Sequence, residues 1–293
     1  MVKDDMKPSE ANLPLYNSFT FVKGIGIKTE VTLRELGIYC WNDVIKKQRP
    51  ELFPKQKWYA LWNGVNSAME ALDVLDISQL TNLIPKIQHW KMIPNFIDRI
   101  AYLDIETTGL SPHYSHITTI AVYDGNEVHD FVRGENLDEF PAFISKFPAI
   151  TTFYGKAFDI PFIKQEMGIE FNQVHFDVCF LLRRLQIKGG LKNIERTFGI
   201  SRGALEDLDG YSAVLLWKKY AKTKKIEYLE TLLAYNNEDV INLEFLLYKA
   251  YNLLIEKERT FTPPLEFPKK EIINPFQANK RVVREILGRR AYF

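Results

Sequence analysis

Cysteine is scarce in this sequence, which has only Cys40 and Cys179 in 293 residues. The two lie far apart and lack the spacing of a metal-ligating pair, so we expect reduced thiols in a cytoplasmic protein and no disulfide framework. Long apolar runs are also missing, which argues against a membrane-spanning helix, since such a helix needs about 20 apolar residues. The first ten residues, MVKDDMKPSE, lack the apolar stretch of a secretion signal.

The net charge is only +1, but the charges are unevenly distributed. Lys and Arg are in excess in residues 1–60 and 259–293, whereas Asp and Glu are in excess in residues 61–258. This pattern suits an enzyme that gathers cations at an acidic centre and holds a polyanion with basic flanks. An ordinary solvated surface explains it equally well.

Sequence patterns divide the chain into three sections. Residues 1–95 are predicted to form a small all-helical domain, in which Lys55–Leu75 has apolar side chains at helical spacing. Residues 259–293 contain prolines and basic residues, and we expect a tail that ends in a short basic helix over Gln277–Gly288. This tail is a candidate arm for nucleic acid or a docking segment for a replication or repair protein.

The middle section, residues 96–258, is predicted to be an α/β domain with a mixed β-sheet flanked by helices. Asp124-Gly125-Asn126 is a hairpin turn signal between two runs of strand composition. From Asp159 to about Glu256 the pattern is chiefly helical. The predicted strands are Ile100–Glu106, Ile117–Tyr123, Glu127–Val132 and Ala149–Phe153.

Acidic residues at two of these elements stand out. Asp104 and Glu106 are two residues apart in a predicted strand, so both side chains point to the same face. Adjacent carboxylates repel each other, which costs stability unless a cation lies between them. Ordinary surface acids on a half-exposed strand are the alternative. Asp159 follows a strand and a sharp turn at Gly155, and taken alone it is better explained as a helix N-cap.

A third acidic position lies in a predicted helix. Tyr235 and Asp239 are four residues apart and therefore share one helix face. Alone, this spacing is equally typical of an ordinary helix with a surface Asp. Together, however, three elements supply four carboxylates, and hard divalent cations such as Mg²⁺ prefer oxygen ligands. Two such ions, roughly 3.5–4 Å apart, can activate a water and stabilise the leaving oxygen in phosphodiester cleavage.

In this order, the segments Leu103–Leu110, Phe153–Phe162 and Tyr235–Val240 resemble the three exonuclease motifs of the DEDD superfamily. That superfamily has an RNase H-like fold and includes polymerase proofreading domains. Tyr235, four residues before the last acid, matches the tyrosine subclass. The resemblance covers about residues 98–250. Further segments resemble the stand-alone exonuclease family related to YprB: Val174–Asp177, Leu191–Glu195 and Asp207–Tyr211.

The resemblance implies roles for individual residues. Asp104, Glu106, Asp159 and Asp239 would be catalytic and would ligate two Mg²⁺ or Mn²⁺ ions. Tyr235 would hydrogen-bond the attacking water or the scissile phosphate. Because a phenol has a pKa near 10, Tyr235 would orient the reacting groups and would not act as a base.

Candidate substrate-binding residues flank these acids. In relatives, the positions of Thr107, Thr108 and Leu110 lie beside the terminal base and sugar. Tyr154 stands where relatives often have an Asn that helps to hold the substrate strand, so the contact with the terminal nucleotides would differ here. Lys156 and Phe158, in the same segment, complete the set, with a solvated surface as the alternative for Lys156.

Two more residues of the middle section are ambiguous. Asp177 precedes a helical run, so it is either an N-cap or a supporting contact near the metals. His175 is interpreted as a structural residue, because a single His is poor evidence for catalysis.

A glycine-containing segment near the start resembles a helix-hairpin-helix motif. Lys23, Gly24, Gly26 and Lys28 precede or begin a predicted helix. Glycines let backbone N–H groups approach a DNA phosphate, and the following helix N-terminus favours an anion. A helical hairpin that serves only packing or protein contact is the alternative.

The sequence therefore predicts a metal-dependent 3′–5′ exonuclease that acts on single-stranded or frayed 3′ ends. The hairpin segment favours DNA over RNA. An RNA-directed 3′–5′ exonuclease and a non-catalytic nucleic-acid-binding adaptor are the alternatives, although an adaptor is expected to have lost one of the acids.

Overall fold

The computed structural model describes residues 12–258, 262–270 and 272–290, with residues 289 and 290 described by their backbone alone. The chain divides into two compact units, Met1–Ile97 with Tyr251–Leu265, and Asp98–Ala250 with Glu266–Phe293. None of the helices in the described ranges has the length and apolarity needed to cross a membrane.

The first unit is helical in its described part. The helix that begins at Lys55 is amphipathic, since Leu61, Val65 and Ala68 are buried at spacings of three and four. It ends at Asp73, two residues before the predicted end. The helices are α1 (Ile27–Glu35), α2 (Trp41–Lys46), α3 (Lys55–Asp73), α4 (Ile77–Leu83) and α5 (Ile93–Phe96), with a 3₁₀ helix at Lys86–Met92.

The second unit contains a mixed five-stranded sheet flanked by helices, as the sequence predicts. The strand order is β3-β2-β1-β4-β5. The first three strands pair antiparallel, and β4 pairs parallel with both β1 and β5. The strands are β1 (Ile100–Thr107), β2 (Ile117–Tyr123), β3 (Val128–Val132), β4 (Ala149–Thr152) and β5 (Val174–Asp177).

The predicted hairpin is confirmed. Strands β2 and β3 are joined by a turn in which Asp124 Oδ1 accepts hydrogen bonds from the backbone N–H groups of Asn126 at 2.8 Å and Glu127 at 2.9 Å. Gly125 has φ +96°, a left-handed conformation that favours glycine. The chain after Asp159 is chiefly helical, as the sequence predicts, but it also contains the short strand β5, whose four residues are too few to show a strand period.

Helices cover this sheet. One apolar cluster joins β1–β4 to the helices after β3 and β4, and includes Leu103, Ile105, Phe140 and Phe162. A second cluster joins the later helices to one another through residues such as Leu216, Leu232 and Ile286. The helices are α6 (Phe140–Ile144), α7 (Asp159–Met167), α8 (Val178–Arg184), α9 (Leu191–Thr197), α10 (Gly210–Thr223), α11 (Ile226–Glu258) and α12 (Lys280–Arg290).

The tail helix α12 is packed within the second unit. Its apolar side chains Val282, Val283 and Ile286 are buried in the second cluster. Glu285 accepts a hydrogen bond from the hydroxyl of Tyr228 at 2.8 Å and forms an ion pair with Lys219 at 2.9 Å. The apolar face of α12 is therefore already in use. Residues 259–261, 271 and 291–293 of the predicted tail lie outside the described residues.

Candidate active site

The central strand β1 presents the first two acids. It lies between an antiparallel and a parallel neighbour and is buried along its length, except at the half-buried Asp104. The pairing with β2 shifts between Glu106 and Thr107. Register irregularities of this kind are frequent next to active sites. Alternation along β1 leaves Leu103 and Ile105 in the apolar cluster and puts the two acids on the opposite face.

Asp159 approaches the same strand from the beginning of α7. It is the first residue of that helix, and the N-cap position belongs to Phe158. The carboxylate is buried, and its Oδ1 accepts a hydrogen bond from the backbone N–H of Ile105 at 3.2 Å. The side chain is therefore fixed against the segment of β1 between Asp104 and Glu106.

Helix α11 supplies the last acid and the tyrosine. Tyr235 and Asp239 are one helical turn apart and both are buried. Carboxylate oxygens of Asp104, Glu106 and Asp239 all lie within 4.8 Å of one another. Two neighbouring acids of β1 and a third that is distant from them in sequence thus converge on a space of the size that a cation occupies.

All five predicted catalytic residues line one cavity of about 570 Å³. Thr107, Thr108, Leu110, Tyr154 and Phe158, which the sequence predicts as substrate-binding residues, line it as well. Lys156, the sixth of that group, is exposed on the same loop and lies outside this cavity. Several other lining residues had no site role predicted from the sequence: Ile105, Gly109, Phe153, Gly210, Tyr211, Val214 and Lys218.

The acids have strongly shifted pKa values. Burial raises the pKa of Asp104 and Glu106 well above the usual range, and the charges of Asp239 and Asp159 raise both further. Burial raises the pKa of Asp159 to about 7. These shifts arise because like charges are held together away from water. A divalent cation would relieve that repulsion, and the all-oxygen donor set fits a hard cation such as Mg²⁺ or Mn²⁺.

Tyr235 keeps its proton at ordinary pH. Burial raises the pKa of its phenol far above the usual value, and the charge of Asp239 raises it further. The Nζ of Lys192 lies 4.9 Å from the ring centroid of Tyr235, and the guanidinium carbon of Arg202 lies 5.7 Å from it. Two cations near the ring fix its position, and the protonated hydroxyl is available as a donor.

Asn236 supports Asp104 and was missed by the sequence analysis. Its Nδ2 donates to Asp104 Oδ2 at 2.8 Å, and its Oδ1 accepts from the hydroxyl of Thr119 at 2.9 Å. Asn236 is fully buried, so these two hydrogen bonds in series fix the orientation of the Asp104 carboxylate. The only feature of the sequence that could have indicated this role is that Asn236 directly follows Tyr235.

Arg202 is a second missed residue. It is buried and forms ion pairs with Asp239 and with Glu195. Both of its bonds to Glu195, from Nε and from an Nη, are 2.5 Å long. Glu195 also accepts a hydrogen bond from Nδ2 of Asn242 at 3.0 Å. Arg202 therefore adds a fixed positive charge to an acidic site, and the sequence had no signal for this.

Asp177 is an N-cap and has a second role. Its Oδ1 accepts from the backbone N–H of Phe180 at 3.4 Å, which confirms the N-cap interpretation. Its two oxygens also accept from the backbone N–H groups of Tyr154 and Lys156, each at 3.0 Å. His175 has its Nε2 2.8 Å from the hydroxyl of Thr152. Burial lowers the pKa of His175 to about 3, so the ring is neutral and structural.

The glycine-containing segment of the first unit lies at its surface. Lys23, Gly24, Gly26 and Lys28 are all exposed. Gly24 has φ +87°, and α1 begins directly after Gly26. Residues 13–26 form turns and no helix, so the helix-hairpin-helix resemblance stays a prediction.

Three solved structures contain regions that are similar to part of this chain. A chain described as the apo form of the nuclease is 23% identical, over 55% of this chain and 75% of that one, with a TM-score of 0.39. NrnC of Brucella melitensis with bound Mg²⁺ is 21% identical, over 57% and 79%, with a TM-score of 0.40. The family B DNA polymerase of the archaeon Pyrobaculum calidifontis is 16% identical, over 54% and 24%, with a TM-score of 0.40.

No curated protein matches the sequence. The family model of the RNase H superfamily, however, matches residues 101–251. That range contains the whole five-stranded sheet apart from its first residue, and all four acids, Asp104, Glu106, Asp159 and Asp239. Since the match covers more than half of the chain, the protein belongs to the RNase H superfamily.

Proposed function

We propose that this protein is a metal-dependent 3′–5′ exonuclease that hydrolyses phosphodiester bonds from the 3′ ends of DNA. The observation that supports the proposal is the convergence of Asp104, Glu106, Asp159, Asp239 and Tyr235 on one cavity. Buried carboxylates with raised pKa values are costly to maintain, and a metal site is the simplest reason for collecting them.

The four acids would hold two Mg²⁺ or Mn²⁺ ions. When bound, such ions supply an activated water and stabilise the leaving oxygen of a phosphodiester. The contribution of the protein is to fix the ligands. Asn236 holds Asp104, Arg202 holds Asp239, and the backbone of Ile105 holds Asp159. With these three carboxylates held in place, little reorganisation is needed when the substrate binds.

Tyr235 would position the reacting groups. Because its raised pKa keeps the phenol protonated, it donates a hydrogen bond to the attacking water or to a phosphate oxygen and takes no proton. The terminal nucleotide would lie against Thr107, Thr108, Leu110 and Phe158, which line the same cavity. The apolar members of this group suit a base or sugar, and the hydroxyls suit its polar edges.

Preference for DNA rests on the exposed segment of the first unit. Lys23 and Lys28 flank two exposed glycines, of which Gly24 has a left-handed conformation. Such a loop gives backbone N–H groups access to a phosphate, and the lysines add charge. Contacts of this kind position a nucleic acid backbone without reading its sequence.

The test is digestion of matched DNA and RNA oligonucleotides in Mg²⁺ or Mn²⁺, each labelled at the 5′ end. A 3′–5′ exonuclease produces a ladder that shortens from the 3′ end, and it leaves a 3′-blocked oligonucleotide and a circular single strand intact. We expect DNA to be degraded faster than RNA. Faster degradation of RNA would support the RNA-directed alternative.

Two aspartate variants complete the test. Asp104→Asn should lower kcat by at least about 100-fold, since loss of a metal ligand removes several kcal/mol of transition-state stabilisation. Asp138→Asn, the same change at an exposed acid of the second unit, is the matched control and should retain activity. Equal activity of wild type and Asp104→Asn would refute the proposed function, and nucleic-acid binding without turnover in Mn²⁺ would favour the adaptor alternative.

A further inference from the structure

A second cavity adjoins the catalytic cavity. It has a volume of about 770 Å³, and Phe153 and Tyr154 line both cavities. Arg183 and Lys188 are exposed and line only the second cavity. The two spaces therefore share one wall, and that wall consists of two aromatic residues at the end of β4.

Tyr154 of the shared wall belongs to a cluster of aromatic and cationic side chains. The ring centroids of Tyr154 and Phe180 are 6.0 Å apart, with an interplanar angle of 31°. The guanidinium carbon of Arg183 lies 5.1 Å from the Tyr154 ring centroid and 5.4 Å from that of Phe180. Tyr154 is 42% exposed and Phe180 38% exposed. Large exposed rings beside a guanidinium with no acidic partner among the described residues form a surface suited to stacking.

The backbone holds Tyr154 in an unusual conformation. Its φ is +65°, which is rare for a bulky residue. Asp177 accepts hydrogen bonds from the N–H groups of Tyr154 and Lys156 and thereby holds this loop in place. Gly155 follows, and a Cβ there would overlap the side chain of Thr152. Conformations of this kind persist only when the surroundings enforce them, and they cluster at ligand sites.

We infer that the second cavity binds the penultimate nucleotide of the substrate, with its base stacked on the Tyr154 ring and its phosphate near Arg183 and Lys188. This inference rests on the proposed function, because a scissile phosphate at the four acids places one nucleotide on each side of it. The nucleotide in the catalytic cavity is the one removed, so its neighbour lies across the shared wall. The substrate must then be at least a dinucleotide.

Stacking predicts a particular type of selectivity. Every base has a π-face, so the subsite accepts any base but responds to the loss of a base. Replacing the penultimate nucleotide of an oligonucleotide by an abasic analogue should therefore lower kcat/KM. From the usual strength of base–aromatic stacking, the expected decrease is about 5- to 150-fold.

The experiment combines this substrate change with a change of Tyr154. For wild type and Tyr154→Ala, kcat/KM is measured on three DNA oligonucleotides: one intact, one abasic at the penultimate position, and one abasic at the fifth position from the 3′ end. The decrease on removing the penultimate base should be large in wild type and less than about threefold in Tyr154→Ala. Tyr154→Phe keeps the ring and should keep the wild-type response to the penultimate base.

Further variants test whether the change in kcat/KM is a general effect of removing an exposed tyrosine or of unfolding. Tyr59 is exposed in the first unit, and Tyr59→Ala should respond to the abasic substrates as wild type does. Thermal melting of each variant establishes folding. If Tyr154→Ala is unstable, Arg183→Gln takes its place, because this change leaves the loop intact. In Arg183→Gln the decrease in kcat/KM on removing the penultimate base should be smaller than in wild type.

The outcomes separate this inference from the proposed function. If wild type cleaves all three oligonucleotides but the penultimate abasic site has the same effect in wild type and in Tyr154→Ala, the subsite is refuted while the nuclease assignment stands. If wild type cleaves none of them in Mg²⁺ or Mn²⁺, the nuclease assignment itself fails and the subsite with it.

Discussion

Arg202 forms a buried ion pair with Asp239, one of the four acids of the cavity, and at the same time a two-bond ion pair with Glu195. The guanidinium thus links an acid of the catalytic cavity to a buried acid of α9. Burial raises the pKa of Asp239, and the positive charge of Arg202 is the largest effect that opposes this rise. Arg202 accordingly favours the ionised form of Asp239, which is the form that binds a cation.

Replacement of Arg202 should be strongly destabilising. Arg202→Met removes the charge but keeps most of the side-chain length, and it leaves Glu195 buried without its cation. Breaking a buried ion pair on one side typically costs about 3–5 kcal/mol of unfolding free energy. Chemical denaturation of wild type and variant measures this loss. An unchanged midpoint would contradict the stabilising role of the ion pair.

A double variant is the control for that result. Glu195→Gln keeps the oxygen that accepts from Asn242 but removes the buried charge. In Arg202→Met combined with Glu195→Gln, we therefore expect a smaller loss of unfolding free energy than in Arg202→Met alone. If the loss in the double variant equals the sum of the losses in Arg202→Met and in Glu195→Gln measured separately, then Arg202 and Glu195 do not interact energetically.

Loss of Asn236 should weaken the metal site. Asn236→Ala removes the donor to Asp104 Oδ2, and outer contacts of this kind typically contribute 10- to 100-fold to metal affinity or activity. The concentration of Mg²⁺ that gives half-maximal activity should rise accordingly. Asn237→Ala is the matched control, because Asn237 is also a fully buried amide of α11, but its partner is Asp130. An equal rise in both variants would mean that general destabilisation, and not the contact with Asp104, is responsible.

Stability should depend on pH through the four acids. The folded-state pKa of Asp159 is about 7, above the ordinary value of 3.8, and those of Asp104, Glu106 and Asp239 are raised as well. The folded protein then binds more protons than the unfolded chain above about pH 4, so without metal its unfolding free energy falls as pH rises towards 7. A divalent cation binds the ionised acids, so the increase in Tm on adding Mg²⁺ should grow between pH 5 and pH 8.

Thermal melts in EDTA and in Mg²⁺ over this pH range measure both effects. Other groups titrate in the same range, so the comparison is with Asp104→Asn, in which one of the raised pKa values is absent. The variant should show a weaker fall in Tm with rising pH in EDTA and a smaller Mg²⁺ effect at pH 8. A Mg²⁺ effect that is equal at pH 5 and pH 8 would contradict this linkage.

Local patterns in the sequence were enough to predict much of the fold and the faces on which the acids lie, whereas the roles of the cavity residues came from the resemblance to the exonuclease motifs. Alternation along β1 puts Asp104 and Glu106 on one face, and helical spacing puts Tyr235 and Asp239 on another. Both rules depend only on neighbouring residues. The hairpin at Asp124–Asn126 was predictable for the same reason, because a turn is specified by its own residues.

The supporting contacts were not predictable, because they join residues that are far apart in the sequence. Asn236 and Asp104 are 132 residues apart, and nothing in either local sequence indicates the other. Arg202 lies in a loop, where a single Arg is normally solvated, and only the folded chain reveals its two acidic partners. Strand β5 was missed because its four residues include His175 and Asp177, which hide any apolar run.

Gly155 should be intolerant of a side chain. The Cβ of Gly155→Ala would overlap the buried side chain of Thr152, whose hydroxyl accepts from the N–H of Gly155 at 3.1 Å. Overpacking of this kind typically costs about 1–3 kcal/mol of unfolding free energy. The loop that presents Tyr154 must shift as well, so kcat/KM on DNA should fall.

Gly288→Ala is the control for that change, since a Cβ at this exposed position of α12 meets no atom within 4 Å. Replacing a helical glycine by alanine typically stabilises by up to about 1 kcal/mol. The denaturation midpoint should therefore fall in Gly155→Ala and stay the same or rise in Gly288→Ala. The activity should fall in Gly155→Ala only. If Gly155→Ala were as stable and active as Gly288→Ala, the close approach of Gly155 to Thr152 would have no structural importance, and the loop would not need to be held rigidly for catalysis.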